Sequence, residues 1–184
     1  MKKIFISMII AVVALSTLII FPAKAESLSD QLKGRILLQV EENGEAWYVN
    51  PSDAQRYYMG RPNDAFSLMR ALGVGITNDD LSKIQLADSN LNGVDTDGDG
   101  LPDIIEQGLG TDINSQDSDG DGYSDKTEIV NGYSPLSLET SLIIDNTFAS
   151  KHKGRIFLQV GSAGEAWYVN PLDSKRYYLG RPAD

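Results

Sequence analysis

Two acidic loops of the same design constrain this chain more than any other feature. They run from Asp95 to Glu106 and from Asp117 to Glu128, and each places carboxylates at loop positions 1, 3, 5, 9 and 12 with glycine at position 6. Carboxylates this close repel one another unless a cation lies among them. The glycine suits a sharp turn through a conformation that a Cβ would hinder. Because the same positions recur twice, the pattern predicts two metal sites rather than a merely solvated acidic segment.

The donor set indicates which metal these loops would take. Hard oxygen ligands with no His or Cys nearby exclude zinc and argue against softer metals. Magnesium demands tighter octahedral geometry and keeps its waters, so the predicted metal is Ca²⁺, with about two ions per chain. Side chains at positions 1, 3, 5, 9 and 12 and the main-chain carbonyl at position 7 are the expected ligands. They are Asp95, Asp97, Asp99, Asp103 and Glu106 with the Leu101 carbonyl, and Asp117, Asp119, Asp121, Asp125 and Glu128 with the Tyr123 carbonyl.

The spacing of the loops argues against a paired EF-hand. Only residues 107–116 lie between them, and this segment is rich in glycine and turn-forming residues. An exit helix, a linker and an entering helix do not fit there. Loop position 8 is Pro102 in one copy and Ser124 in the other, whereas paired EF-hands prefer an aliphatic residue for a short β-bridge. The loops are therefore expected to be EF-hand-like without forming a pair.

Each loop is predicted to lead into one short helix. The first helix is expected to begin near Pro102 and to end at Gly108 or Gly110, and the second to cover Asp125–Asn131 before Gly132. Helices this short do not stand alone, so metal ligation is expected to hold them.

The stretch from Asp95 to Asp112 resembles the bacterial thrombospondin type 3 repeat. That family shows Asp-x-Asp-Gly-Asp-Gly-Leu-x-Asp-x-x-Glu followed by Leu-Gly-Thr-Asp, and both parts are present here. The stretch is similar, more distantly, to dockerin loops, which usually end in Asp rather than Glu. The resemblance covers residues 93–133 and implies calcium binding in a secreted protein. On resemblance alone, Asp112 would contribute an extra oxygen.

An internal repeat flanks the acidic centre. Residues 33–64 return as residues 153–184 without a gap, and only about nine of about 32 positions differ. Both copies contain the motif Gly-Glu-Ala-Trp-Tyr-Val-Asn-Pro. Two copies of one segment indicate a modular chain rather than one integrated enzyme fold.

Each copy is predicted to form three short strands separated by turns. In the first copy these are Ile36–Val40, Ala46–Val49 and Arg56–Met59. A helix over Ala65–Leu72, ended by glycines, and a brief helix over Asn78–Ile84 are expected to follow.

The predicted fold class is α+β. Two small three-stranded β-modules, the first followed by one or two short helices, flank a loop-rich, EF-hand-like calcium-binding tandem repeat. The predicted divisions are a signal peptide (1–25), the first module (26–87), the calcium-binding repeats (88–133), a linker (134–152) and the second module (153–184). The second copy stops at Asp184, before the equivalent helix, so we expect a truncated sequence. A second module without that covering helix would be the least stable part of the chain.

Aromatic residues recur in both modules and leave two interpretations open. Trp47 and Tyr48 are neighbours in a predicted strand, so they point to opposite faces of the sheet. Outward aromatics can stack on sugar rings, and the Trp-Tyr-x-x-Pro turn faintly resembles choline-binding wall repeats. Packing in the core is the favoured alternative. The module also resembles a short domain of secreted proteins from uncultivated bacteria, with no established activity.

Residues 1–25 have the pattern of a signal peptide. A basic start at Lys2 and Lys3 precedes an apolar run from Ile4 to Phe21 and an Ala-Lys-Ala cleavage site. The run is near the length of a membrane span, so an uncleaved anchor is the alternative. Because the chain has no cysteine, it has no lipid-anchoring site of the lipoprotein type. We expect a secreted, extracellular or cell-envelope protein without a membrane span after cleavage.

Charge and residue content restrict the partners and the chemistry. With 26 acidic against 16 basic side chains, the chain repels nucleic-acid phosphates. The one histidine, His152, lies between two lysines and is expected to be solvated rather than catalytic. Glu45 and Asp53 could be compared with a glycosidase pair, but such a small module leaves no room for a cleft. The sequence predicts a non-catalytic calcium-binding structural or interaction protein, in which calcium orders a spacer between the two small modules. The alternatives are an adhesin for cell-wall glycan or another surface protein, and an accessory piece of a larger secreted hydrolase.

Overall fold

The computed structural model describes residues 26–41, 43–60, 62–88, 91–138 and 143–181. The predicted signal peptide, residues 1–25, lies outside these ranges. The fold is α+β as predicted, with a three-stranded sheet, a four-stranded sheet and several short helices. Within the described ranges, no helix combines the length and the apolar character needed to cross a membrane.

The first copy forms an antiparallel meander preceded by one helical turn. Its elements are α1 (Leu28–Gln31), β1 (Ile36–Gln39), β2 (Glu45–Val49) and β3 (Arg56–Tyr58), and the strand order is β1-β2-β3. The Ser27 hydroxyl caps α1 by accepting a hydrogen bond from the Asp30 amide. All three predicted strands of this copy are confirmed, with ends that differ by one residue.

The second copy repeats this arrangement. Its elements are α6 (Asn146–Lys151), β5 (Ile156–Gln159), β6 (Ala166–Val169) and β7 (Arg176–Gly180). The register is repeated as well, since Ile36 opposes Tyr48 in the first sheet and Ile156 opposes Tyr168 in the second.

The segment after the first copy completes the sheet of the second copy. It contains α2 (Pro62–Leu72), β4 (Val74–Ile76) and α3 (Asn78–Ser82). Both helices were predicted, although α2 begins three residues earlier, at a proline that suits the first helical turn. The sequence did not predict β4, because the glycines of Gly-Val-Gly indicated only the end of a helix. This strand pairs in parallel with β5, so the second sheet has the order β4-β5-β6-β7.

The two copies contact each other directly through reciprocal hydrogen bonds. The Tyr48 hydroxyl donates to the Gly154 carbonyl at 2.7 Å, and the Tyr168 hydroxyl donates to the Gly34 carbonyl at 2.6 Å. Gly34 and Gly154 adopt positive φ angles of 76° and 75°, and a Cβ on either one would overlap the other's Cα. The acidic-loop region therefore does not hold the two copies apart, as the predicted spacer would.

Two apolar cores lie on opposite faces of the second sheet. The first core joins the two copies and α2, and it includes Tyr48, Met59, Phe66, Met69, Ile156 and Tyr168. The second core joins the second sheet to the acidic-loop region, and it includes Ile76, Leu81, Leu101, Ile105, Ile129, Phe157 and Trp167.

Both faces of the second sheet are consequently packed against other parts of the chain. Helix α2, which follows the first copy, packs across β5, and Trp167 on the other face is 0% exposed. The sequence offered a covering helix only within the module's own copy, whereas in the structure it comes from the segment that follows the first copy. The low stability predicted for this module stays a prediction.

His152 is also placed differently from the prediction. Its ring lies 4.4 Å from the Phe148 ring and 5.3 Å from the Phe157 ring, centroid to centroid. Burial, followed by the charge of Arg155, lowers the pKa of His152. The residue is therefore partly buried between two aromatic rings, whereas the sequence favoured a solvated position.

Candidate metal centre

The two acidic loops fold in nearly the same way. In the first loop the Asp95 carboxylate accepts hydrogen bonds from the amides of Gly98 at 2.8 Å and Gly100 at 3.1 Å. In the second loop Asp117 accepts the equivalent bonds from Gly120 and Gly122 at 2.7 and 2.8 Å. Gly98 and Gly120 both have φ of 79°, a left-handed conformation that glycine adopts at little cost. The first residue of each loop thus shapes the turn and draws its amides inward.

Each loop gathers three carboxylates around one point. Oxygens of Asp95, Asp97 and Asp99 lie within 4.8 Å of one another, and so do oxygens of Asp117, Asp119 and Asp121. Oxygens that bind one Ca²⁺ at about 2.3–2.6 Å lie at most about 5 Å apart. Each cluster can therefore hold one metal ion, and its size is compatible with Ca²⁺.

The last residue of each loop is a buried glutamate in the helix that follows. Glu106 lies in α4 (Asp103–Leu109) and Glu128 lies in α5 (Asp125–Asn131), two helices that begin and end close to where the sequence predicted. Glu106 is 0% exposed, and both of its carboxylate oxygens lack a hydrogen-bond partner. Glu128 has one such oxygen, and so does the central aspartate of each triplet, Asp97 and Asp119. Burying a carboxylate oxygen without a hydrogen-bond partner costs free energy, and a bound cation would offset that cost. These residues therefore suit a metal site.

The pKa of each of these glutamates is raised by burial and by the aspartates of its own loop. Burial, and then the charges of Asp97 and Asp99, raise the pKa of Glu106 to about 7. Burial, and then the charges of Asp119 and Asp121, raise the pKa of Glu128 to about 7. Each glutamate is therefore close enough to the triplet of its own loop for those charges to raise its pKa, and the calcium-loop spacing assigns this residue as the last ligand of the loop.

The two predicted ligands at loop position 9 have another role in the structure. Both Asp103 oxygens accept hydrogen bonds at 2.8 Å from Thr96, one from its amide and one from its hydroxyl. Asp125 accepts the same pair from Ser118, at 2.8 and 2.6 Å. These bonds close each loop onto the first turn of its helix, and direct ligation of a metal by Asp103 or Asp125 stays a prediction.

The remaining predicted ligands lie at the edge of the clusters. The Leu101 amide donates to the Asp99 carboxylate at 2.6 Å, and the Tyr123 amide donates to the Asp121 carboxylate at 2.9 Å. Each of the two residues is therefore held next to the last aspartate of its triplet. Metal binding by their carbonyls stays a prediction. Asp112 instead caps a local turn by accepting a bond from the Asn114 amide at 3.0 Å.

The structure also connects the two loops, which the sequence did not predict. The Asp99 carboxylate accepts a hydrogen bond at 2.9 Å from the Lys126 amide in the first turn of α5. The Gln116 side-chain amide donates to the main-chain carbonyl of Asp97. The main-chain carbonyl of Gln116 accepts a hydrogen bond from the Asp125 amide at 2.9 Å. No local pattern indicates these contacts. The hydroxyl residues Thr96 and Ser118, in contrast, recur at loop position 2 and were a signal that the sequence offered.

Because of these contacts, we expect ion binding at the two loops to be coupled. Asp99 belongs to the first triplet and also holds the start of the helix that carries Glu128. Glu106→Gln should therefore weaken the second site by about fivefold, in addition to removing the first. Calorimetric titration of the remaining site measures this. Asp88→Asn is the control, because Asp88 is an exposed acid outside both triplets whose carboxylate lies 3.8 Å from the Lys126 ammonium. An unchanged second-site affinity in Glu106→Gln would contradict the coupling.

The acidic-loop region is joined to the second sheet by both apolar and polar contacts. Gly108 of α4 lies against the Trp167 ring, where a Cβ would meet the ring at 3.3 Å. Gln159 accepts a hydrogen bond from the Trp167 indole at 2.8 Å and donates to the Gly108 carbonyl. Helix α4 therefore packs directly on this face of the second sheet.

In comparisons with known proteins, the chain matched no protein-family model, no curated protein and no solved structure.

Proposed function

We propose that this protein is an exported, non-catalytic Ca²⁺-binding structural protein whose two ions complete the fold of its second sheet. The observation that carries the proposal is Glu106, a fully buried carboxylate with two partnerless oxygens beside a cluster of three aspartates. The second loop repeats this arrangement with Glu128. The twelve predicted ligands and the resemblance to thrombospondin type 3 repeats support Ca²⁺ as the ion.

Calcium would act through folding rather than through a reaction. Helices α4 and α5 have seven residues each, so neither is stable without tertiary contacts or ligation. An ion that binds only the folded loops stabilises them and everything packed on them. Ile105 and Ile129 of these helices pack in the core around Trp167, and ligation would hold them there. The signal-peptide pattern supports export to a compartment where calcium is abundant.

A calcium titration of the chain without its predicted signal peptide tests this function. We expect about two bound ions by calorimetry. Helix content by circular dichroism should rise on calcium addition and fall again with chelator. Glu106→Gln and Glu128→Gln should each remove one site, since each removes a buried charge from one cluster.

The exposed Glu41 provides a matched control, and Glu41→Gln should leave both sites intact. Magnesium should compete weakly, because it demands tighter geometry. Absence of binding heat at millimolar calcium would refute the proposal.

We propose adhesion to wall glycan as the alternative function, and the partly exposed aromatic residues of the first copy support it. Trp167 is buried, whereas the Trp47 ring is partly exposed and Tyr58 is 53% exposed. A sedimentation assay with insoluble peptidoglycan that compares the chain with Trp47→Ala tests this alternative.

A further inference from the structure

One face of each sheet carries the same set of side chains. We call them the Trp47 face and the Trp167 face. The Trp47 face presents Gln39, Trp47, Arg56 and Tyr58, and the Trp167 face presents Gln159, Trp167, Arg176 and Tyr178.

The contacts within the two faces match closely. The tryptophan indole donates to the glutamine at 3.2 Å on the Trp47 face and at 2.8 Å on the Trp167 face. The arginine guanidinium lies over the indole ring at 5.0 and 5.2 Å, and the tyrosine ring lies 5.0 and 5.1 Å from it. The Trp47 face is therefore preorganised in the same way as its buried counterpart.

The Trp167 face is covered by segments of the same chain within residues 74–88 and 91–110, and Ile129 and Ala149 pack in the same core. Strand β4 pairs with the outer edge of β5 in parallel, and the Arg176 guanidinium donates to the Leu81 carbonyl. The main chain of Arg176 also pairs with the segment, its amide donating to Gln85 at 2.9 Å and its carbonyl accepting from Ala87 at 3.0 Å. The Arg176 side chain is consequently only 4% exposed.

The same segment provides hydrogen-bond acceptors for the Gln159 amide and covers the Trp167 indole. The Gln159 amide donates to the Asn78 side chain at 2.9 Å and to the Gly108 carbonyl. Gly108 provides the close approach over the Trp167 ring that a larger residue would obstruct. The cover thus consists of a parallel strand, carbonyl acceptors and a helix with a small residue.

The Trp47 face is open. Gln39 and Arg56 are exposed, and among the residues that the structure describes no strand pairs with the outer edge of β1. Leu38 on that edge is 65% exposed, whereas its counterpart Leu158 packs against Gly73 at the end of α2. An unpaired edge beside an open aromatic face is a site where another chain can add a strand.

We propose that the Trp47 face and the β1 edge form a docking surface for a partner polypeptide that presents a strand and a following helix, as residues 74–110 do for the second copy. The strand would lie parallel to β1, main-chain carbonyls would accept from Gln39 and Arg56, and a helix with glycine at the contact would cover Trp47. The twin face on the same chain shows that this combination of groups binds such a segment.

The structure favours a partner polypeptide over two other occupants. A second copy of this chain has its own residues 74–110 bound to its own Trp167 face, so lending that segment would expose one face to cover another. A sugar ring needs a flat aromatic platform, but Arg56 already lies over the Trp47 ring and Tyr58 is tilted by 49° against it.

A synthetic peptide with the sequence of residues 74–110 is the probe for this surface. Added with CaCl₂ to the full chain, it should shift the fluorescence of Trp47 to shorter wavelength and protect Trp47 from acrylamide quenching. Amides of β1 should become protected from hydrogen exchange. Trp47→Ala and Arg56→Glu should each weaken binding at least about tenfold, because central aromatic and arginine residues dominate such interfaces.

Leu172→Ala serves as the matched control, since Leu172 is 70% exposed and lies in a turn away from the Trp47 face. Circular dichroism of each variant shows whether the fold is retained. Peptide binding that is absent, or that persists unchanged in Trp47→Ala and Arg56→Glu, would overturn the proposal. So would peptidoglycan fragments that protect Trp47 when the peptide does not, or a dimer of the chain that Trp47→Ala abolishes. The count of bound calcium ions is independent of all these outcomes.

Discussion

Trp167→Ala is expected to lower the free energy of unfolding by about 3–5 kcal/mol, the usual cost of removing a large buried aromatic side chain. The ring is fully buried, contacts Gly108 and Tyr178, and donates a hydrogen bond to Gln159. Its loss would leave a cavity between the second sheet and α4 and would remove the partner of a buried amide. Urea denaturation in the presence of calcium measures the change.

The first copy supplies the control for this substitution. Trp47→Ala changes the equivalent residue in an equivalent sequence, but the Trp47 ring is only half-buried, so the loss should be about 1 kcal/mol. Calcium affinity should also fall in Trp167→Ala and not in Trp47→Ala, because only Trp167 contacts the helix that carries Glu106. Equal losses of stability in the two variants would contradict the packing of the acidic-loop region on the second sheet.

Gly154→Ala should destabilise the protein by about 3 kcal/mol or more. The substitution places a Cβ on the Gly34 main chain, at a φ of 75° that an L-residue adopts only with strain. It would also displace the carbonyl that accepts the Tyr48 hydroxyl. Thermal unfolding and the near-ultraviolet circular dichroism of the buried tyrosines report the separation of the two copies.

Gly164→Ala is the matched comparison within the same copy. Gly164 has φ of 84°, but no atom lies within 4 Å of the position that its Cβ would take. It therefore reports backbone strain alone, about 1 kcal/mol. If Gly154→Ala costs no more than Gly164→Ala, the close contact between the copies is not important for stability.

The sequence predicted the parts of the metal centre that depend on local spacing. Both aspartate triplets, the glycines of the turns and the helix over residues 125–131 follow from chemistry within about a dozen residues. Local spacing could not show that Asp103 and Asp125 are engaged by Thr96 and Ser118. It also gave no indication that Asp99 holds the start of the second helix, because that bond joins residues in different loops.

The same division holds for the fold. The strands of the two copies could be predicted from their alternation and turns, whereas β4 could not. Its three residues form a strand only because the edge of β5, far along the chain, provides a partner. The helix that follows the first copy was expected on its own module and instead covers the second.

The two copies show most clearly what the sequence determined by itself and what only the tertiary structure decided. Their nearly identical sequences determined the same meander, the same register and the same arrangement of glutamine, arginine and tyrosine around a tryptophan. Sequence alone gave no reason to distinguish Trp47 from Trp167, because each is surrounded by the same local residues. Tertiary packing made one a partly exposed surface residue and the other a core residue, because side chains within residues 74–88 and 91–110, with Ile129 and Ala149, pack around Trp167. Burial depends on which distant segment reaches a face, and that is a property of the whole fold.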